Sequence, residues 1–282
     1  MTRKDPWEIA EWHFVKQEAQ LVRHLLGSGA TALGRANYAD KKGEYYTAFF
    51  ALSVGLERLC KLILVINHAR ENGGQMPSQD VVRRYGHQLE KLIDAVTAAT
   101  ARHSIRQHHN RPIDVIVSAI VSNLDAFADA RRGRYANFEA LGDPNLTSHE
   151  PISKWWNEVA EPILEQHYRG TKTQARVESN AQLIDQLIGD FTLVHHTSET
   201  RETMTDVETT SKRTGQTAIV QKWARYYTLT LIRWLSDVYK EMAYKAVYKE
   251  GHDAFYGSWE FFDTFLVDDR FLRTRRVWPL DG

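Results

Sequence analysis

Apolar residues along this chain recur at three- and four-residue steps, and runs of strict alternation bounded by hairpin turns are hard to place. Trp7, Ile9, Trp12, Val15, Val22 and Leu25 predict a first helix that ends near Gly27 and Gly29. Residues 35–72 read as one long helix. Its section from Tyr45 to Ile66 is apolar nearly all round, the mark of a central helix covered by neighbours. Asn72-Gly73-Gly74 ends that helix, and Met76-Pro77-Ser78 opens the next element with a cap. Leu89, Leu92, Ile93 and Val96 predict a helix after Gly86. Val115, Ile116, Ala119, Ile120, Leu124 and Phe127 predict another from Ile113 to about Ala128.

The pattern changes at Gly142-Asp143-Pro144. A helix bearing Trp155 and Trp156 runs to about Tyr168, and an apolar helical stretch spans 183–193. Residues 197–217, rich in Thr, Ser and charge, read as a mobile loop. The last long helix is predicted from Ala218 to about Tyr248, with Trp223, Tyr227, Leu231, Trp234, Leu235, Val238 and Met242 at core spacing. The aromatic and basic tail beyond it reads as short helices. Its Phe255, Tyr256, Trp259, Phe261, Phe262 and Phe265 have the spacing of a core face; a base-stacking surface or partner interface is the alternative.

Composition narrows this picture in a few places. Hydrophobic residues make up 43% of 282, so general disorder is not expected, and seven prolines leave room for long elements. Lysine plus arginine balance aspartate plus glutamate at 36 each, so any nucleic-acid role needs local basic patches. The most apolar run, Leu59 to Ile66, contains Lys61 and is too short for a membrane span. A lone cysteine, Cys60, and a charged N-terminus without a secretory core predict a cytoplasmic protein with no membrane partner.

Chemistry is concentrated at three places. Ser53, Glu57 and Lys61 form a polar stripe along the most apolar helix, with Arg58 beside it. It is either a structural ion pair or the wall of a polar pocket. His87 stands at a helix start in Tyr85-Gly86-His87-Gln88-Leu89, where it caps, or donates across to a neighbouring helix. Arg132-Gly133-Arg134-Tyr135-Ala136-Asn137-Phe138-Glu139 offers a guanidinium, an amide and a carboxylate within two helical turns. The planar fork of arginine suits phosphate, whereas a basic helix end satisfying its own carbonyls is the plainer reading. Neither a zinc-type histidine pair, a phosphate-binding glycine loop nor a serine-hydrolase elbow occurs, so no metal and no cofactor is expected.

Taken in order, three features resemble the HEPN superfamily: the apolar helix with Phe49-Phe50-Ala51-Leu52-Ser53-Val54-Gly55-Leu56-Glu57-Arg58-Leu59-Cys60-Lys61, then Gly86-His87-Gln88-Leu89-Glu90-Lys91-Leu92, then Arg134-Tyr135-Ala136-Asn137-Phe138. The match is to the bacterial branch whose arginine motif reads Arg-Tyr-x-Asn. It covers residues 35–141 and, less specifically, the final long helix.

The resemblance implies an all-α fold: an antiparallel HEPN-like four-helix bundle from residues 35–141 and 218–250. Residues 1–34 would be an N-terminal helix, 142–217 a helical insertion and 251–282 an aromatic C-terminal extension. It implies a homodimer of a bacterial defence or toxin–antitoxin type system, with an antitoxin or other defence partner. The implied activity is metal-independent RNA cleavage or, alternatively, non-catalytic binding of RNA, nucleotide or protein. Arg134, Asn137, Glu139 and Glu57 would be catalytic, and Lys61, Arg58, His87 and Tyr135 would bind substrate.

The sequence departs from the family's usual motif, an arginine followed after roughly four to six residues by a histidine. From Arg134 that spacing meets Glu139 and no histidine. Arg102 does stand at that spacing from His108 and His109. However, a pair this short recurs by chance, and it precedes the third helix of the family pattern rather than following it.

Overall fold

A computed structural model describes residues 5–129 and 150–279, and it is predominantly helical. Its helices are α1 (Ala10–Leu33), α2 (Lys42–Glu71), α3 (Gln79–Arg84), α4 (Leu89–Arg102) and α5 (Val115–Ala128). Next come α6 (Pro151–Trp155), continued by a π turn (Trp156–Ala160) into α7 (Glu161–His167), then α8 (Lys172–Ile188), α9 (Val207–Tyr248) and α10 (Asp269–Thr274). The two-residue strands β1 (His196–Thr197) and β2 (Thr203–Met204) pair antiparallel, His196 opposite Met204.

Local chemistry sets the element ends. Ser78, Asp114, Thr171 and Asp268 cap α3, α5, α8 and α10 by accepting backbone N–H bonds of the first turn. Beyond α2, Gly74 takes φ 92° and donates its N–H to the Ala69 carbonyl, a left-handed stop open to glycine.

Two boundaries correct the sequence reading. Helix α2 starts at Lys42 rather than Arg35, because the Asn37 side chain accepts from the N–H groups of Ala39, Asp40 and Lys41 at 2.9, 3.0 and 3.2 Å. That local turn competes with helix. Helix α9 starts at Val207 rather than Ala218, so much of the segment read as a mobile loop is helix. Asp206 Oδ1 accepts the Thr209 N–H at 2.6 Å, and the hydroxyls of Thr210 and Thr214 donate back to carbonyls four residues earlier. The threonines and charges there belong to the polar side of a helix.

The chain divides into two compact units: Met1–Ala30 with Ala51–Ile113 and Leu229–Gly282, and Thr31–Phe50 with Asp114–Thr228. In the first, Leu56, Leu59, Ile63 and Ile66 of α2 are fully buried, as are Leu235, Val238 and Met242 of α9. The tail packs as core, with Phe255, Phe262, Phe265 and Leu272 buried and Trp278 stacked on Phe265. Tyr239 donates to Ser258 Oγ at 2.8 Å, and burial raises that phenol's pKa well above the ordinary range.

In the second unit, Phe49 packs against Phe127 and Trp155 with ring centroids 5.5 and 5.0 Å apart. Its most demanding group is Glu199, buried at the hairpin between β1 and β2. Arg213 donates to it at 2.9 Å and Tyr45 at 3.2 Å, and the Arg213 guanidinium lies 3.9 Å from the centroid of the Trp156 ring. Burial, then the Glu199 charge, raise the Tyr45 pKa.

Gly27 and Gly29, expected to end the first helix, lie inside it. A Cβ on Gly29 would meet Leu52 Cγ at 2.6 Å, and one on Gly55 would meet Leu26 Cδ2 at 2.9 Å, so each glycine marks a close approach of α1 and α2. Gly29→Leu is therefore expected to cost about 2 kcal/mol by overpacking, measured by urea unfolding. Unchanged stability would mean that α1 and α2 do not approach there.

Candidate polar site on the central helix

Helix α2 places Glu57 and Lys61 one turn apart on the same face. Lys61 Nζ donates to Glu57 Oε1 at 2.7 Å, with the two side chains only 16% and 19% exposed. His87 Nδ1 reaches the same Oε1 at 2.8 Å. It arrives from the connection between α3 and α4, where Gly86 adopts φ 74° and donates its N–H to the Arg83 carbonyl. The His87 ring is 80% exposed.

A carboxylate can only accept, so this arrangement makes His87 Nδ1 the donor. The proton of a neutral ring is then on Nδ1, and the lone pair of Nε2 is left for other chemistry. Glu57 thus fixes a tautomer while balancing an ammonium. Its charge is also felt further in. The Cys60 thiol, fully buried three residues further along the same helix, is pushed up to about 12, first by burial and then by the Glu57 charge.

The rest of the stripe goes elsewhere. Arg58 donates through Nη1 to both Glu18 oxygens, at 2.6 and 2.8 Å, so α1 engages the guanidinium expected to bind substrate. Ser53 is buried. Arg134, Tyr135, Asn137 and Glu139 lie outside the described residues.

The loop with the spaced Arg102–His108 pair is anchored at separate points. Arg102 donates to Glu71 on α2 at 2.5 Å, holding that carboxyl below its usual pKa. His103 Nε2 lies 2.9 Å from Asn67 Oδ1, and burial lowers the imidazole pKa. The backbone N–H groups of His108 and His109 both donate to Asp237 Oδ2, at 2.6 and 2.8 Å. Asp237 is 3% exposed and was not foreseen from the sequence, although an acid beside Trp234, Leu235 and Val238 on an apolar helix was its available signal. Burial, then Arg233, lower the His109 pKa. This geometry makes the loop a structural clasp.

No family model, curated protein or solved structure matches the chain. Among the described residues, no group of three or more His, Cys, Asp or Glu side chains is placed to hold a metal ion, and no helix is long and apolar enough to cross a membrane.

The structure therefore brings together Glu57, Lys61 and His87 from two separate sequence signals. Their unequal exposure separates their contributions. Glu57→Ala leaves Lys61 without its counter-charge and should cost about 2 kcal/mol in chemical denaturation. His87→Ala should stay within about 0.5 kcal/mol of wild type. Equal losses would make His87 a structural residue.

Proposed function

We propose that this chain is an HEPN-like endoribonuclease that needs no metal, of the kind found in bacterial defence or toxin–antitoxin systems. The supporting observation is an exposed imidazole whose Nδ1 lies 2.8 Å from a half-sequestered carboxylate that also pairs with an ammonium. An imidazole is the side chain most often used for general acid–base transfer, and it is the group missing from the expected position after Arg134. The resemblance on which this reading rests takes α2, α4 and α5 in their order along the chain.

In this reading, Nε2 of neutral His87 takes the proton of an RNA 2′-hydroxyl as its oxygen attacks the adjacent phosphorus. The bond from phosphorus to the 5′ oxygen breaks, the leaving oxygen takes a proton from water, and the hydroxide so formed takes the proton held by the imidazolium, which restores the neutral ring. The products are a 2′,3′-cyclic phosphate and a 5′-hydroxyl. Glu57 stabilises the imidazolium formed meanwhile. By the resemblance alone, Arg134 and Asn137, with Tyr135 and Glu139, would handle phosphate; all four lie outside the described residues.

A second reading is a non-catalytic HEPN-type module that binds RNA, nucleotide or protein. It is favoured by the local neutralisation of Lys61, whose ammonium is already paired with Glu57.

Incubating purified protein with end-labelled single-stranded RNA in EDTA distinguishes these readings. The nuclease reading predicts cyclic-phosphate ends and a drop of about 10²–10⁴-fold in rate for His87→Ala with RNA affinity retained. Binding without cleavage selects the second reading for RNA. Cleavage unaffected by His87→Ala rejects the assignment of the base, and neither binding nor cleavage rejects the RNA reading.

A further inference from the structure

The segment that follows the buried aromatics of the tail concentrates positive charge. Residues 270–280 hold Arg270, Arg273, Arg275 and Arg276 and no acidic residue. Basic and acidic side chains balance at 36 each over the whole chain, so attraction for a polyanion has to come from a local patch of this kind.

The fold holds the patch in place. Leu272 of α10 is fully buried. Successive helical positions turn by about 100°, so Arg270 faces nearly opposite to Leu272, with Phe271 and Arg273 on the two flanks between. Arg270, Arg273 and Arg276 are exposed, and the Phe271 ring among them is 55% exposed. Arg233 of α9 donates to the Val267 carbonyl at 3.0 Å and pairs with Asp269 at 2.7 Å, which ties the start of α10 to α9. At the far end Trp278 is buried against Phe265, and the Arg275 guanidinium lies 5.1 Å from the centroid of the Trp278 ring.

The neighbouring acids are engaged by the fold itself. Asp268 accepts the Phe271 N–H at 3.0 Å, and Asp269 pairs with Arg233. Among the described residues, no carboxylate pairs with Arg270 or Arg276.

The chemistry of the patch indicates its ligand. Guanidinium forks pair with phosphate oxygens, and an exposed phenyl ring set among them offers a face on which a nucleobase stacks. A lipid surface is a poorer match, because α10 spans only six residues and an interfacial helix buries a long apolar face.

We propose that Arg270, Arg273 and Arg276 bind the phosphates of a single-stranded nucleic acid while Phe271 stacks on one of its bases. This rests on the RNA reading and gives the strand a contact surface made of none of the residues named for the reaction.

Fluorescence anisotropy with a labelled single-stranded 2′-O-methyl RNA, whose blocked 2′ oxygen prevents cleavage, tests it over a range of salt concentrations. Arg270→Gln with Arg276→Gln removes two phosphate contacts and should make the slope of log affinity against log salt shallower by about 1.4. Arg270→Lys with Arg276→Lys keeps the charge and should keep the slope. Phe271→Ala should weaken binding about tenfold without altering the slope. Lys41→Gln with Lys42→Gln removes the same charge from exposed positions of the other unit and should change neither quantity.

An unchanged slope in the glutamine variant of the patch overturns the proposal and leaves the RNA reading standing, whereas a wild type that binds no oligonucleotide removes both. A lysine variant as shallow as the glutamine one, or an equal change in the Lys41 and Lys42 variant, would also overturn it. Unchanged affinity in Phe271→Ala overturns the stacking role. Binding to vesicles of phosphatidylcholine with phosphatidylserine that is lost in the glutamine variant, while RNA affinity is kept, would assign the patch to lipid instead.

Discussion

A carboxylate on the most apolar helix is the constraint from which the candidate site follows. Glu57 sits between buried Leu56 and Leu59 on a helix whose Cys60 and Ile63 are also fully buried. A charge in such surroundings costs several kcal/mol unless partners replace the lost water. Lys61 supplies one partner from the same helix, which is the cheap part because the i, i+4 geometry is already fixed by the backbone. His87 supplies the other from a distant part of the chain, and Gly86 provides the backbone turn that delivers it. The result is an imidazole anchored on its buried side and open on the other, which is what proton transfer to a bound substrate requires.

Each unit also buries an acid that serves a different end. Asp237 takes two backbone N–H groups, fixes the loop at His108 and His109, and lies 3.7 Å from His109 Nδ1. Glu199 takes Arg213 and Tyr45, and its own backbone carbonyl accepts from Ser153 Oγ at 2.8 Å, so the hairpin is tied to α6 and α9. In both cases the buried carboxyl organises neighbouring chain. Glu57 differs because one of its partners faces water.

Much of the helical pattern was legible in the sequence, because it depends on local periodicity and capping. The starts at Ser78 and near Asp114, the stop at Gly73-Gly74 and the burial of Phe255, Trp259, Phe262 and Phe265 were readable from neighbouring residues, whereas Tyr256 of the same expected face is exposed. The polar stripe was legible as an anomaly, since charges at Glu57 and Lys61 interrupt an otherwise apolar surface.

What was missed depends on distant or competing contacts. The start of α2 was hidden because the Asn37 turn outweighs a locally helical composition. The first turns of α9 were hidden because a polar helix side and a solvated loop have the same composition. Glu199 looked like part of that loop; its burial depends on Tyr45, 154 positions earlier. The pairing of His87 with Glu57 spans 30 residues and was visible only as two separate candidates. The role of Asp237 required knowing which loop lies over it.

The tautomer of His87 is the most direct test of the central claim that Glu57 holds the ring by Nδ1. Long-range proton–nitrogen correlation spectra of labelled protein, recorded on the neutral ring, read which nitrogen carries the proton. The account predicts a majority of the Nδ1–H form in wild type and a shift toward the Nε2–H form, ordinary for a free imidazole, in Glu57→Gln. A predominantly Nε2–H ring in wild type would contradict it.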